Sequence, residues 1–257
     1  MKEGMKNMDS FISWAGGKKA LRGKIIKEFP EKGTFGSYVE VFGGAGWVLF
    51  AVEKHALKEV YNDINGNLIN LFRCVKYHPE ELQRELEFIL VSREQFGDAR
   101  SQIEVRGLTD IQRAARFYIL IKESFGSDTQ SFGLVPKDMK KAREYLTVVS
   151  ERLKRVVIEN EDFQKIISSY DKKDTLFYLD PPYYKAERYY TVKFTKADHE
   201  CLKETLCNIK GKFVLSYNDC EYIRKLYKGY NIVEVCRRNN LLPEHPQYME
   251  LIIKNFA

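Results

Sequence analysis

The chain has 257 residues, 44% of them hydrophobic and 30% charged, which fits a globular protein with one sizeable core. Its 42 Lys and Arg residues exceed its 36 Asp and Glu residues, and this positive balance is compatible with a polyanionic partner. The five cysteines form no C-x-x-C pair, the amino-terminal stretch has no apolar core, and no apolar run approaches the ~20 residues of a membrane helix. These features argue against a disulfide framework, a zinc site, a signal peptide and a membrane span.

The first part of the chain alternates strand and helix signals. Residues 37–42 are β-branched and aromatic and end at a glycine cluster, which predicts a strand and a tight turn. Residues 46–54 are predicted to form a helix, 59–63 a second strand and 65–76 a second helix. This succession predicts the beginning of a doubly wound α/β sheet.

A helical block interrupts the sheet. Apolar residues recur at helical spacing from about residue 79 to residue 153, with a helix predicted at 111–122 and a loop at 123–133. Further strands are predicted at 156–160, 175–179, 212–216, 230–235 and 248–254. We therefore expect one sheet domain, residues 9–74 and 153–257, with residues 75–152 inserted into it.

The segment Phe42-Gly43-Gly44-Ala45-Gly46 follows the first predicted strand. Small residues at this position let the backbone approach a ligand. Asp63 ends the second predicted strand, where an acid in nucleotide-binding sheets accepts hydrogen bonds from ribose hydroxyls. The spacing does not match G-x-G-x-x-G, which argues against a nicotinamide cofactor. A tight turn followed by a surface aspartate is the alternative explanation.

Upstream of the first strand lies Trp14-Ala15-Gly16-Gly17-Lys18. A tryptophan beside glycines and a lysine suits stacking on a planar ligand and presentation of a cation. A tryptophan packed in the core is the alternative.

Asp180-Pro181-Pro182-Tyr183 follows the apolar strand 175–179. Two prolines cannot continue a sheet, and their fixed φ angles hold Asp180 and Tyr183 rigidly at the edge where ligands bind in open α/β sheets. An amino group such as that of adenine has two hydrogens to donate. Asp180 and the Pro181 carbonyl are suited to accept both, with Tyr183 stacked on the ring. A rigid turn capped by aspartate is the structural alternative.

These segments, together with Asn62-Asp63-Ile64-Asn65, resemble in order and type the motifs of Dam-type DNA adenine methyltransferases, over about residues 11–254. The stretches 189–199 and 215–218 are also similar to that family. The resemblance implies a class I methyltransferase fold: a seven-stranded, mostly parallel sheet with a late antiparallel hairpin. It implies an enzyme that transfers a methyl group from S-adenosylmethionine to the exocyclic amino group of an adenine flipped out of duplex DNA, without a metal.

The resemblance also implies site residues. Asp180, Pro181, Pro182 and Tyr183 are the catalytic candidates. The candidate cofactor contacts are Trp14, Ala15, Gly16, Lys18, Phe42, Gly43, Gly44, Ala45, Gly46, Asp63, Ile64, Asp162, Phe163 and Asp180. Among these, Asp162 and Phe163 correspond to the family segment that holds the adenine of the cofactor. The inserted block is implied to recognise the target sequence.

Basic and aromatic residues supply candidate DNA contacts, because phosphate contacts position a duplex without reading its sequence. The candidates are Lys122, Ser124, Lys137, Lys140, Tyr184, Lys185 and Arg188. Arg152 belongs to the same basic cluster as Lys137 and Lys140, and a solvated helix face is the alternative for that cluster. Thr195 is predicted to cap a helix, and His199 to be structural.

The sequence leaves several points open. Relatives that read GATC carry an Asn-Gly-Leu-x-Arg-like run where this chain has residues 122–133, KESFGSDTQSFG, so the resemblance does not extend to the recognition sequence. An amino methyltransferase acting on RNA or on a protein amide, and a catalytically silent DNA-binding protein, are the alternatives. We expect a cytoplasmic protein of a bacterium or phage, a monomer or a dimer, solitary or paired with a restriction enzyme.

Overall fold

The computed structural model describes residues 8–133, 138–185, 193–238 and 247–257. Within these ranges seven strands form one mixed sheet in the order β3-β2-β1-β4-β5-β7-β6. The strands are β1 (Ser37–Glu40), β2 (Lys58–Asn62), β3 (Val156–Glu159), β4 (Thr175–Leu179), β5 (Lys212–Asn218), β6 (Asn231–Arg238) and β7 (Gln247–Lys254). The pairs from β3 through β5 are parallel, whereas β7 runs antiparallel to both β5 and β6. The predicted mostly parallel sheet with a late antiparallel hairpin is confirmed.

Helices cover both faces of the sheet. They are α1 (Arg22–Lys27), α2 (Gly66–Tyr77), α3 (Pro79–Glu87), α4 (Arg93–Gln102), α5 (Asp110–Glu123), α6 (Met139–Leu153), α7 (Phe163–Tyr170), α8 (Lys196–Cys207) and α9 (Glu221–Leu226). All five residues of β4 are buried, as expected for a central strand with helices on both faces. Alternate residues face different cores: Tyr178 packs with α2 and the helical block, and Phe177 packs with α7 and α8. None of the helices within the described ranges is long and apolar enough to cross a membrane.

Side-chain caps explain where several helices begin. The Asn65 side chain accepts a hydrogen bond from the Leu68 N–H at the start of α2. Thr109 and Thr195 form capping boxes at the starts of α5 and α8. The predicted cap at Thr195 is confirmed. His199 of α8 is fully buried, with Nδ1 2.5 Å from the Tyr217 hydroxyl, which agrees with a structural role.

The helix predicted at residues 46–54 is wrong. Only a 3-10 turn, Leu49–Ala51, forms there. Gly44 and Gly46 both have positive φ angles, and Val52 is extended. The chain therefore completes a single helical turn before it becomes extended. The buried side chains of Val48, Leu49 and Phe50 fix this short connection in the core.

The helical block α3 to α6 joins β2 to β3 and packs on one face of the sheet. Leu82, Tyr118 and Leu146 of the block share one hydrophobic cluster with Tyr38 and Tyr178 of the sheet. The boundary expected between residues 74 and 75 falls inside α2. The block is therefore continuous with the core of the sheet domain in this part of the chain.

Candidate active site

The strand order reverses between β1 and β4, and the carboxyl ends of these strands meet at one edge of the sheet. Open α/β sheets bind ligands at such a point. The glycine segment follows β1, Asp63 follows β2, and the Asp180–Tyr183 segment follows β4. The fold therefore brings the three predicted motifs to the same edge.

The glycine segment is shaped by its neighbours. A Cβ atom on Gly43 would overlap the ring of Tyr61, and one on Gly44 would lie 2.8 Å from Cδ1 of Trp14. Gly44 also has a φ of +49°, a conformation that favours glycine. The Tyr61 hydroxyl donates a hydrogen bond to the Gly44 carbonyl, and this bond anchors the glycine turn to β2. Only glycine fits at these two positions.

Asp63 bridges the glycine segment and the start of α2. Its Oδ2 accepts a hydrogen bond from the Gly44 N–H, and its Oδ1 accepts one from the Asn65 N–H, both at 2.9 Å. Burial raises the pKa of Asp63, and these backbone donors act in the opposite direction. Each oxygen keeps a second lone pair, which suits the hydroxyls of a ribose.

Asp180 is largely buried and receives two donors on one oxygen. The Lys18 ammonium lies 2.8 Å from Asp180 Oδ1, and the Ser216 hydroxyl donates to the same atom at 2.8 Å. Among the described residues no hydrogen bond reaches Oδ2 of Asp180. Burial raises the pKa of Asp180, and the charge of Lys18 is the largest opposing influence. One carboxylate oxygen is thus fixed by the protein and the other remains an acceptor.

Lys18 also contacts the rest of the site. Only 4% of its side chain is exposed, and the ammonium donates to the Gly16 carbonyl at 2.8 Å. It lies 4.6 Å from the centre of the Tyr183 ring, within cation–π range. Lys18 therefore contacts both the Asp180 carboxylate and the Tyr183 ring.

Tyr183 is held at its hydroxyl as well. The hydroxyl donates to Glu250 Oε2 at 2.5 Å, and Arg237 Nε lies 2.9 Å from Glu250 Oε1. The Arg237 contact is ionic, since its Nε–H group makes no hydrogen bond. Burial raises the pKa of Tyr183 well above its usual value, so the hydroxyl remains a donor.

Trp14 connects this edge to the helical block. Its ring contacts the Phe117 ring of α5 edge-on, with centroids 6.2 Å apart, and lies against Gly44. The neighbouring Ser13 hydroxyl contacts the hydroxyl of Ser127 in the loop after α5. Trp14 is partly exposed, as a ligand-stacking residue must be.

The predicted adenine-holding segment lies at the ends of β2 and β3. Asp162 caps α7, accepting from the Gln164 N–H at 2.8 Å, and the Phe163 ring stacks on Phe42 with centroids 5.9 Å apart. Ile64 is 49% exposed beside Asp63. Ile64 and Phe163 thus follow β2 and β3, two strands that pair in the sheet.

The candidate DNA contacts are spread over two regions. Lys140 is exposed in the first turn of α6, and Tyr184 stacks on Tyr222 with centroids 4.3 Å apart. Lys185 is exposed and has a φ of +62°. Lys122 is partly buried, with its ammonium 5.7 Å from the Tyr118 ring centre. Lys137 and Arg188 lie outside the described residues.

Two polar residues of these regions are internal. Ser124 is buried and its hydroxyl accepts from the Thr129 N–H, so in this conformation it supports its own loop. Arg152 is 6% exposed and pairs with Glu59 of β2 through two contacts of 2.8 Å. The grouping of Arg152 with surface cations is therefore wrong, because its face of α6 turns toward the sheet.

Three residues of the site were missed from the sequence: Ser216, Arg237 and Glu250. Glu250 is an acid beside a run of apolar residues in a strand, which is the signal that would have found it. Ser216 lies at the end of a predicted strand, in the stretch 215–218 that is similar to the family, but it was given no role of its own. No group of three or more His, Cys, Asp and Glu side chains in the described ranges is arranged to hold a metal.

The sheet order, the glycine segment and the two acids at the same edge, Asp63 and Asp180, define a class I methyltransferase that uses S-adenosylmethionine. A sequence model of the family described as D12 class N6 adenine-specific DNA methyltransferase matches residues 14–241, and the chain belongs to this family. It is an enzyme that methylates adenine in DNA.

Three relatives align over at least 90% of their own lengths. The type II methyltransferase M1.LlaDCHI of Lactococcus lactis subsp. cremoris is 29% identical, over 98% of this chain and 96% of its own. The type II methyltransferase M.MjaIII of Methanocaldococcus jannaschii is 27% identical, over 88% of this chain and 90% of its own. The DNA adenine methylase of Haemophilus influenzae is 26% identical, over 96% of this chain and 93% of its own length.

Proposed function

We propose that Asp180, the Pro181 carbonyl and Tyr183 hold the exocyclic amino group of the target adenine during methyl transfer. The observation that carries this proposal is the position of the Lys18 ammonium, 2.8 Å from Asp180 Oδ1 and 4.6 Å from the centre of the Tyr183 ring. The ammonium and the Ser216 hydroxyl hold Oδ1 and thereby orient the carboxylate beside the Tyr183 ring. The second oxygen of Asp180 is the acceptor that remains for the substrate.

The chemistry follows from the two hydrogens of the amino group. Its lone pair is delocalised into the adenine ring, which makes the nitrogen a weak nucleophile. Asp180 Oδ2 and the Pro181 carbonyl accept the two hydrogens and turn the lone pair out of the ring plane. The carboxylate also stabilises the positive charge that develops on the nitrogen, and its raised pKa suits acceptance of the proton that is released.

The residues around the glycine segment fit S-adenosylmethionine, which supplies an electrophilic methyl group when bound. Asp63 offers free lone pairs to the ribose hydroxyls, and Ile64 with Phe163 offers apolar surface to the adenine. The rest of the proposed cofactor site is lined by Trp14 and by the backbone of residues 15–18 and 42–46. The negative carboxylates of Asp63 and Asp180 suit a ligand with a positive sulfonium.

We also propose that the helical block, residues 75–152, and the loop after α5 bind duplex DNA. The Phe125 side chain is 76% exposed in this loop, and the contact between the Ser13 and Ser127 hydroxyls ties the loop to the residue before Trp14. An exposed aromatic ring on a fixed loop suits insertion into a base stack beside a flipped base. Lys140, Tyr184 and Lys185 are the proposed contacts to the DNA backbone.

The names of two relatives support a further role. Because both are type II methyltransferases, we propose that the enzyme protects DNA against a restriction enzyme of the same specificity. Host DNA that carries the gene should then resist cleavage by that enzyme.

The test of the catalytic proposal compares the two aspartates that flank β4. Asp180→Ala removes the acceptor at the carboxyl end of β4, and Asp174→Ala removes an exposed carboxylate at its amino end. The incorporation of labelled methyl groups into DNA from a host without adenine methylation is measured. We expect Asp180→Ala to lower the rate by at least about 100-fold and Asp174→Ala to leave it unchanged. Full activity of Asp180→Ala would refute the proposal.

A further inference from the structure

Glu250 lies in the middle of β7 and begins its buried half. It is 3% exposed, and the next three residues of β7, Leu251, Ile252 and Ile253, are buried and apolar. A carboxylate in such surroundings is costly unless it is paired and hydrogen-bonded. Glu250 has both kinds of partner, in the Tyr183 hydroxyl and the Arg237 side chain. Three elements therefore converge on one buried carboxylate.

The sheet register explains the convergence. Glu250 is opposite Asn218 of β5 on one side and Val235 of β6 on the other. Its side chain reaches past β5 to the segment that follows β4, where Tyr183 lies. Because neighbouring strands hold Glu250 on both sides, its carboxylate is a fixed point to which the Tyr183 hydroxyl is tied.

We propose that Glu250 is a positioning residue for methyl transfer, which acts through the Tyr183 hydroxyl to fix the ring on which the target adenine lies, with Arg237 holding the carboxylate. This inference rests on the proposed role of Tyr183. A tyrosine side chain turns about two torsions. The neighbouring Tyr217 ring, with centroids 6.0 Å apart, and the Lys18 ammonium contact the ring but do not bond its hydroxyl. The charge-assisted hydrogen bond to Glu250 removes that freedom.

The consequence is a specific kinetic pattern. A small displacement of a stacked base from the reacting geometry lowers the rate of the chemical step. Among the described residues, no hydrogen bond or ion pair joins Glu250 to a candidate cofactor residue, although its charge acts on Asp180. Its loss should therefore lower kcat and leave the KM for S-adenosylmethionine nearly unchanged.

The experiment is a double-mutant cycle of Glu250→Gln and Tyr183→Phe, with labelled S-adenosylmethionine and DNA from a host without adenine methylation. Each single variant is expected to lower kcat about tenfold, and the double variant to be no slower than Tyr183→Phe alone. Glu234→Gln is the matched control, because this exposed glutamate of β6 pairs with Arg224 away from Tyr183. It should retain the kcat of the natural enzyme.

Two results would overturn the inference: an equal effect of Glu250→Gln with and without the Tyr183 hydroxyl, or an unchanged kcat in Tyr183→Phe. If Glu250→Gln does not fold, Arg237→Gln, which keeps the carboxylate, takes its place in the same cycle with the same expectation. Failure of the proposed function is distinguishable, because Asp180→Ala would then remain active whatever the cycle gives.

Discussion

The Lys18 ammonium and the Asp180 carboxylate form a buried ion pair with an N–O distance of 2.8 Å. It joins the segment before β1 to the segment after β4, the two parts of the site that are far apart in sequence. The pair also sets the charge of the site, because burial raises the pKa of Asp180 and Lys18 opposes that shift.

Removal of this cation should move the pH dependence of the reaction. Without Lys18 the pKa of Asp180 rises further, so the carboxylate is protonated at a higher pH. We expect the acidic limb of kcat/KM against pH to shift upward by about 1 unit or more in Lys18→Met. Lys19→Met is the control, since the exposed Lys19 pairs with Asp9. An unmoved limb in Lys18→Met would show that the pair does not govern Asp180.

Ser216 should matter more for catalysis than its partner Tyr178. The Ser216 hydroxyl donates to Asp180 and lies 3.1 Å from the Tyr178 hydroxyl. Ser216→Ala loses the bond to the carboxylate, whereas Tyr178→Phe leaves it in place. We expect each variant to lose about 1–2 kcal/mol of unfolding free energy in denaturant titrations. Only Ser216→Ala should also lower kcat severalfold, and equal kcat values would contradict this role.

Arg152 should act on stability. It is 6% exposed, pairs bidentately with Glu59, which is 3% exposed, and donates to the Leu49 carbonyl at 2.9 Å. Arg152→Met leaves a buried carboxylate unpaired and should lower the free energy of unfolding by about 3–5 kcal/mol. The double variant with Glu59→Met should recover part of this loss. If Arg152→Met kept its stability but bound DNA more weakly, Arg152 would be a DNA contact and not an internal ion-pair partner.

Lys140 should contribute to DNA binding through charge alone. In Lys140→Ala the slope of log affinity against log salt concentration should become shallower by about 1, because one fewer counterion is released. Lys228→Ala is the control, since Lys228 is exposed just before β6, at the opposite edge of the sheet. Binding is measured on one duplex over a series of salt concentrations. Equal slopes for the two variants would remove Lys140 from the interface.

The sequence was informative where a residue's role depends on its near neighbours. Strand β4 and the rigid turn after it were predicted because an apolar run followed by two prolines has few other structures. The Asp63 position was predicted because strand ends share one edge of a parallel sheet. The helix predicted at 46–54 failed because positive φ angles at Gly44 and Gly46 and core packing outweighed local helical preference.

Roles that depend on long-range pairing were not predictable. Glu250 reaches Tyr183 only because β7 is inserted antiparallel between β5 and β6, a register that the strand pattern does not contain. Arg152 lies in a run of basic residues, and only the packing of α6 against β2 shows that it points inward. Local pattern gives the elements and motifs, whereas the supporting contacts come from topology.

In the most direct test, the enzyme is expressed in a host without adenine methylation, and single molecules of the host DNA are sequenced to detect N6-methyladenine. We predict one sequence motif modified across the genome with the natural enzyme, and no modification with Asp180→Ala produced at the same level. Equal modification by Asp180→Ala, or no modified adenine from natural enzyme that binds S-adenosylmethionine, would contradict the account.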